Sequence, residues 1–330
     1  MLIFPAFKYT SIFKIEQTND EKKWDKFLLL SLNKNIYTSS LFIKNLKNKY
    51  IKFFLMKEKE IFASFFLNVD DKSLVLTNEI IYTPLIFKDY QNKPYASRVS
   101  EKFEIISSFK NFLVDNYSKI NFISDYFLDD LRPFYWHNFE KKKTIFSIKD
   151  TKFTNIINLQ KFNNKSNFKN SEFYKDLSVR IRQQYNYAHT RNKYELIKDF
   201  NKKIFKNIVL KTFERQGVIA GYDVDLQISI LEQLYKTGSV NMYYTVENKK
   251  ILSFSIFGCV KNNAIYLHGG RLTDSANDYS QTFTLIESFI DLKKQGIDTV
   301  DLEGINSPKR GFNKIGYGGQ IKPYYHISNH

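Results

Sequence analysis

Val240-Asn-Met-Tyr-Tyr-Thr-Val246, a turn Glu247-Asn-Lys-Lys250, Ile251-Leu-Ser-Phe-Ser-Ile-Phe-Gly-Cys-Val260, a turn Lys261-Asn-Asn263 and Ala264-Ile-Tyr-Leu-His268 follow one another without interruption. Runs of β-branched and aromatic residues bounded by Asn- and Lys-rich turns predict three antiparallel strands. The same order of events occurs near the N-terminus. Tyr50 to Met56, the turn Lys57-Glu-Lys-Glu60, Ile61 to Leu67 and, after Asp70-Asp-Lys72, Ser73 to Thr77 predict a second meander. The two align residue by residue. Lys59-Glu-Ile-Phe-Ala63 lies opposite Lys249-Lys-Ile-Leu-Ser253 at an offset of 190, and Ser73-Leu-Val-Leu76 opposite Ala264-Ile-Tyr-Leu267 at 191.

The correspondence extends on both sides. Helices are predicted over Glu21 to Lys34 and Leu41 to Leu46 before the first meander, and over Tyr194 to Lys211 and Leu226 to Tyr235 before the second. Thr212 to Gly217 reads as a helix end stopped by glycine. After the meanders, a helix striped by Phe103, Ile106, Phe109 and Leu113 leads into the strand Asn121-Phe-Ile-Ser-Asp125. A helix striped by Phe283, Ile286, Phe289 and Ile290 leads into Thr299 to Glu303. The fold class is therefore α/β (α+β): two tandem units, residues 1–165 and 166–330, each a mixed, mainly antiparallel sheet flanked by helices. They join near residues 150 to 175, where Asn, Lys and Ser accumulate.

The second unit ends on its most informative segment, Thr299-Val-Asp-Leu-Glu-Gly304 followed by Gly311-Phe-Asn-Lys-Ile-Gly-Tyr-Gly-Gly319. Strand alternation puts Asp301 and Glu303 on one side, and unpaired carboxylates under covering helices are costly. They need a cation, hydrogen bonds or a substrate amine; Lys314 and Arg310 are near in sequence. Gly311, Gly316, Gly318 and Gly319 let the backbone after the strand turn sharply and approach a ligand. The first unit's Asn121 to Asp125 lacks both features, so chemistry is expected in the second unit.

Composition narrows the class. A length of 330 residues suits two domains of ordinary size, and a hydrophobic content of 43% with 31 Phe and 22 Tyr argues against disorder. The formal charge of +16 invites a nucleic-acid or anionic-membrane partner, but only eight of the 50 basic residues are arginine. Lys, Asn, Ile, Phe and Tyr share AT-rich codons, which accounts for part of the basicity. The run Lys141-Lys142-Lys143 reads as a solvated turn. Cys259 is the single cysteine, so no intrachain disulfide forms, and its strand context reads as a small buried hydrophobe rather than a nucleophile. No apolar run spans a bilayer and Met1 to Lys14 lacks the pattern of a signal peptide, so a cytoplasmic enzyme without a transmembrane segment is expected, with peripheral membrane-surface contact open.

Helices, a long meander, a helix and a strand resemble the GNAT acyltransferase unit, and two such units in one chain resemble the Fem-type (FemAB-like) aminoacyltransferases and their N-acyltransferase relatives. The resemblance covers nearly the whole chain. Asp130-Leu-Arg-Pro-Phe-Tyr-Trp-His137 is similar to the Arg-Pro-Phe-x-Trp segment of these relatives, Phe213-Glu-Arg-Gln-Gly217 is a further likeness, and Asn313-Lys-Ile-Gly-Tyr-Gly-Gly319 resembles the C-terminal Phe-Lys-x-x-Phe-Gly signature. Asn313 stands where the family usually has Phe. The resemblance assigns Lys314 to the developing negative charge at the acyl carbonyl or to an anionic substrate group. It also implies a substrate groove between the units, mainly against the second.

Acyl transfer to an amine needs a deprotonated amine, an oriented activated donor and a stabilised oxyanion. No Gly-x-Ser-x-Gly elbow or supported Cys-His pair is present, which fits direct attack. The expected catalytic group is Lys314 for charge stabilisation, with Asp301 or Glu303 orienting or deprotonating the amine; a purely structural ion pair of these carboxylates with Arg310 or Lys314 is the rival reading. Expected substrate-binding residues are His268, Arg271, Asn306, Tyr317, Tyr82, Arg132, Trp136 and Arg215. Each also has a plain alternative: His268 as a capping or core residue, Arg271 as a helix cap, and the aromatics as core. The coenzyme A loop Gln/Arg-x-x-Gly-x-Gly/Ala is absent from both units, where Gly269-Gly-Arg-Leu-Thr-Asp-Ser275 and Asn78 to Pro84 stand instead. The expected reaction is acyl transfer from acyl-CoA, without a metal, to the amine of a cell-envelope precursor such as a nucleotide-linked amino sugar. The rivals are aminoacyl-tRNA-dependent extension of a peptidoglycan precursor, with tRNA as partner, and a non-catalytic basic RNA-binding or scaffold protein.

Overall fold

The computed structural model describes residues 12–330 apart from 49, 77–78, 83–84, 91, 142–144, 163–164, 192, 216, 218 and 273–277. The run Lys141 to Lys143 and the stretches Thr83-Pro84 and Thr273 to Ser275 therefore fall wholly or partly outside the described residues.

The first half opens with β1 (Lys14–Thr18) and α1 (Glu21–Leu29), whose cap Asp20 accepts from the Lys23 N–H and whose Trp24, Phe27 and Leu28 are buried. It continues through α2 (Ser40–Lys44), β2 (Tyr50–Lys57), β3 (Glu60–Asp70), β4 (Ser73–Leu74), β5 (Ile86–Phe87), α3 (Tyr95–Asn116), β6 (Asn121–Ile123), α4 (Arg132–Tyr135) and β7 (Ser147–Asn158). The second half contains α5 (Glu172–Asp176), α6 (Val179–Arg191), β8 (Glu195–Lys198), α7 (Lys202–Arg215), α8 (Val224–Lys236), β9 (Val240–Glu247), β10 (Lys250–Val260) and β11 (Asn263–Arg271). It ends with α9 (Ser280–Lys294), β12 (Thr299–Asp301), α10 (Pro308–Ile315) and β13 (Gln320–Ser328).

Two sheets result, the first antiparallel at each of its strand pairs and the second mixed. One has the order β1-β2-β3-β4 with β5 beside β3; the other runs β6-β13-β7-β12-β11-β10-β9-β8. The two meanders pair as the alignment predicts, β2 with β3 and β10 with β9 and β11. The repeat also holds at the parallel step: β12 runs parallel to β11, and Ser73 makes a parallel bridge to Lys119 just before β6.

The halves exchange their last strands. β7 of the first half pairs with β12 of the second, and β13, the chain's final strand, pairs with both β7 and β6. The core is likewise shared, one cluster joining Trp24, Phe54 and Phe66 of the first half to Phe205, Leu231 and Phe254 of the second. Apolar burial across that boundary stabilises the two halves as one body.

Several local expectations change. The join near residues 150 to 175 contains the twelve-residue strand β7 followed by short helical turns, because the exchange gives its backbone partners on both sides. The helix expected from Tyr194 starts only at Lys202, since Glu195–Lys198 pairs with β9 as β8. The third strand of the first meander is cut to Ser73–Leu74, and the glycine-rich tail expected as a turn is mostly helix α10.

Candidate active site

β11 and β12 stay in register only as far as Ile265 opposite Asp301. β11 then continues to Arg271 alongside β10, whereas the chain after Asp301 leaves the sheet, so the two parallel strands part. A bulge accompanies the parting: Ile256 faces His268 and Phe257 faces Tyr266, which leaves Leu267 as an extra residue on β11. A cleft of about 870 Å³ opens there, at the carboxyl ends of parallel strands. Tyr266, His268 and Arg271 line one wall; Glu303, Gly304 and Lys314 line the other; Arg180 of α6 and Tyr222 add to the rim.

The departing chain is held tightly. Leu302 N–H donates to the Asn155 carbonyl and Ile305 N–H to the Phe153 carbonyl, each at 2.9 Å. Asn306 accepts from the Phe153 N–H at 2.7 Å and donates to the Tyr324 hydroxyl at 3.1 Å. Between these anchors Glu303 takes φ +57°, a left-handed conformation costly for a residue with a Cβ and sustained here by its surroundings. Helix α10 then folds back closely enough that a Cβ on Gly311 would lie 2.2 Å from the Ile305 carbonyl oxygen. This approach puts the Lys314 ammonium 2.6 Å from the Leu302 carbonyl and 3.3 Å from that of Gly304, beneath the cleft and over the Tyr266 ring.

The two carboxyls differ in their environments. Asp301 accepts from the Thr154 hydroxyl, from the Glu303 N–H at 2.7 Å and from the Tyr82 hydroxyl at 3.2 Å. Burial still pushes its proton affinity above the ordinary carboxylate range, against those hydrogen bonds and Lys314. Glu303 accepts a hydrogen bond from the Tyr37 hydroxyl and faces the cleft. Burial pushes it up to about 8, with Asp301 adding to the rise and Lys314 and Tyr37 opposing it. A carboxyl that changes charge near neutrality and borders an open cleft is suited to proton transfer; one saturated by internal donors is suited to holding the strand end.

The other expected residues divide. His268 lines the cleft, but burial drops its ring to about 4, so it is a neutral group beside the Tyr222 hydroxyl, 3.5 Å away, rather than an anion-binding cation. Arg271 lines the cleft and donates to the Asp278 carbonyl at 3.4 Å. Tyr82 lies behind Asp301, fully buried. Asn306 pins the loop, and Tyr317 packs in the core against Phe289; neither lines the cleft. Arg132 and Trp136 sit outside the expected groove: Arg132 pairs with Asp130 and stacks over Phe103 and Trp136, which is half-exposed. The Arg215 and Arg310 side chains lie outside the described residues. Burial pushes the Cys259 thiol up to about 11, which leaves it a poor nucleophile.

Residues not foreseen are Tyr37, Tyr222, Tyr266 and Arg180. The Arg180 guanidinium donates to Asn313 Oδ1 at 3.0 Å, so Asn313, where the family motif has Phe, carries a cleft-side arginine instead of a ring. Among the described residues, no group of three or more His, Cys, Asp or Glu gathers to hold a metal ion, and no helix is long and apolar enough to cross a membrane.

No family model matches the sequence, and no curated protein matches it. Solved structures do match in fold. FemX superimposes with a TM-score of 0.65 at 13% identity, covering 96% of this chain and 98% of that one. L-PGS from Bacillus licheniformis gives 0.54 at 12% identity over 94% and 91% of the two chains. A tandem GNAT protein from the clavulanic acid biosynthesis pathway gives 0.50 at 7% over 96% and 97%. The chain thus has a tandem GNAT-like fold, in agreement with the resemblance read from its repeated meanders and C-terminal segment.

Proposed function

We propose that the protein is an N-acyltransferase that moves an activated acyl group, acetyl or similar, from acyl-CoA to the primary amine of a cell-envelope precursor such as an amino sugar. The observation that carries this reading is the meeting of a cleft-facing carboxyl, Glu303, with a fixed ammonium, Lys314, where β11 and β12 part. In the proposed reaction the acceptor amine gives a proton to the Glu303 carboxylate as its nitrogen attacks the acyl carbonyl carbon. The electron pair of the C=O moves onto oxygen, and Lys314 stabilises that oxyanion. Collapse expels the thiolate, which takes up the proton. Arg180 and Arg271 receive an anionic part of donor or acceptor.

A second reading replaces acyl-CoA by aminoacyl-tRNA. The fold likeness to FemX and the net charge of +16 favour it, and the same residues would serve, with the tRNA hydroxyl as leaving group. The charge also keeps contact with an anionic membrane surface within the proposal. A mass-spectrometric assay crossing acyl-CoAs and charged tRNAs with candidate amines tests the reading. Amide formation with free thiol supports the first donor, and RNase-sensitive amino-acid transfer supports the second.

A further inference from the structure

The base proposed above is not held by its own half alone. Tyr37 lies in a 3-10 turn, Ile36–Thr38, of the first half, and its hydroxyl crosses to donate a hydrogen bond to Glu303 Oε1. The ring is only 5% exposed and meets Phe42 edge-on with centroids 5.1 Å apart.

The turn itself has little freedom. The Asn35 carbonyl accepts from the Thr38 hydroxyl at 2.7 Å, and the Trp24 indole donates to the Thr38 carbonyl at 2.7 Å. Ile36 presses on β10 at Gly258, where an added Cβ would come within 2.6 Å of the Ile36 side chain. A tyrosine fixed this way presents its hydroxyl at one place.

We propose that Tyr37 is a positioning residue for Glu303: by donating to Oε1 it orients the carboxylate and leaves Oε2 for the substrate amine. The first half is then part of the acid–base centre and not only a wall of the groove. This inference rests on reading Glu303 as the base.

The other groups facing Glu303 are Asp301 at the end of β12, Lys314 of α10, Tyr222, Tyr266 of β11, and Tyr82 and Tyr324 behind it. Asp301 opposes its ionisation, whereas Lys314 and Tyr37 favour it. Removing the Tyr37 hydroxyl therefore makes the charged carboxylate harder to form.

Carbon-13 carboxyl-labelled full-length protein, followed by infrared difference titration with Glu303→Gln as the assignment control, reads this without any substrate. Tyr37→Phe is expected to move the Glu303 midpoint upward by about one unit, a tenfold change in proton affinity. In the transfer assay kcat at neutral pH falls roughly tenfold, recovers as pH rises, and KM changes little. Difluorotyrosine at position 37, which keeps the ring's shape and makes the hydroxyl more acidic, is expected to move the midpoint down, and it serves where Tyr37→Phe does not fold. An unchanged midpoint in the folded variants, or a loss of kcat that is the same at every pH, overturns the positioning role. Retention of full transfer by Glu303→Gln instead overturns the base reading, while the infrared titration still decides whether Tyr37 holds the carboxyl.

Discussion

Lys314 Nζ donates to the Leu302 carbonyl at 2.6 Å, which fixes a positive charge at the strand end that carries Glu303. The bond ties helix α10 to the chain leaving β12, so the ammonium is in place before any substrate arrives. Preorganised charge of this kind lowers a barrier without reorganisation during the reaction.

Replacing Lys314 by Met removes the charge and keeps most of the stem. The expected loss in kcat is about 10²- to 10³-fold, as for removal of one oxyanion donor. Lys314→Arg is not expected to restore it, because the planar fork cannot occupy the position of a compact ammonium between two carbonyls. Steady-state kinetics with thermal melts on the same samples check this, and full activity of Lys314→Met would exclude the oxyanion role.

The raised proton affinity of Glu303 has a consequence for stability. Its ordinary value is 4.5 and its folded value about 8, so between them the folded chain holds a proton that the unfolded chain has released. This contribution is fully present below the unfolded value and is lost as pH rises through the folded one. Relative to Glu303→Gln, the wild type is expected to lose on the order of a few kcal/mol between about pH 5 and 9. Urea unfolding of both proteins across that range measures it. A wild type that gained on the variant as pH rose would contradict the assignment.

Gly311 sits where α10 touches the loop before it, and an added Cβ would meet the Ile305 carbonyl. Backbone cannot yield as a side-chain tip can, so Gly311→Ala is expected to cost about 1–3 kcal/mol and to displace Lys314, lowering kcat as well. Gly221→Ala, with open space around the new methyl, is the control and is expected to stay within about 0.5 kcal/mol of wild type. Equal behaviour of the two variants would remove the argument for a tight α10 contact.

Much of this was legible in the residues. The β-branched and aromatic runs at 240–268 and the apolar stripe Phe283, Ile286, Phe289 and Ile290 record burial directly: the middles of β9 and β10 are continuously buried, as are all four stripe residues. Asp301 and Glu303 stood out because charge in an otherwise apolar run must be compensated, and Lys314 does act on both, but the strand ends at Asp301, so Glu303 reaches the cleft from the chain beyond it and not by strand alternation. β7 was hidden: Ser147 to Phe153 is largely exposed and polar, and its partners β12 and β13 lie over 140 residues away. Helix α10 was hidden by Gly311 within it and by the glycines that follow it, although Pro308 at its first turn was a usable signal. Tyr37 carried no local signal, since its role depends on Glu303, 266 residues later.

The measurement that bears most directly on the account is amide formation by wild type, Glu303→Gln and Lys314→Met across the panel of acyl-CoAs, charged tRNAs and amines. The account predicts transfer from one donor class by the wild type, with a pH profile rising through about 8, and at least a hundredfold loss in each variant although both remain folded. Transfer at wild-type rates by either folded variant would contradict it.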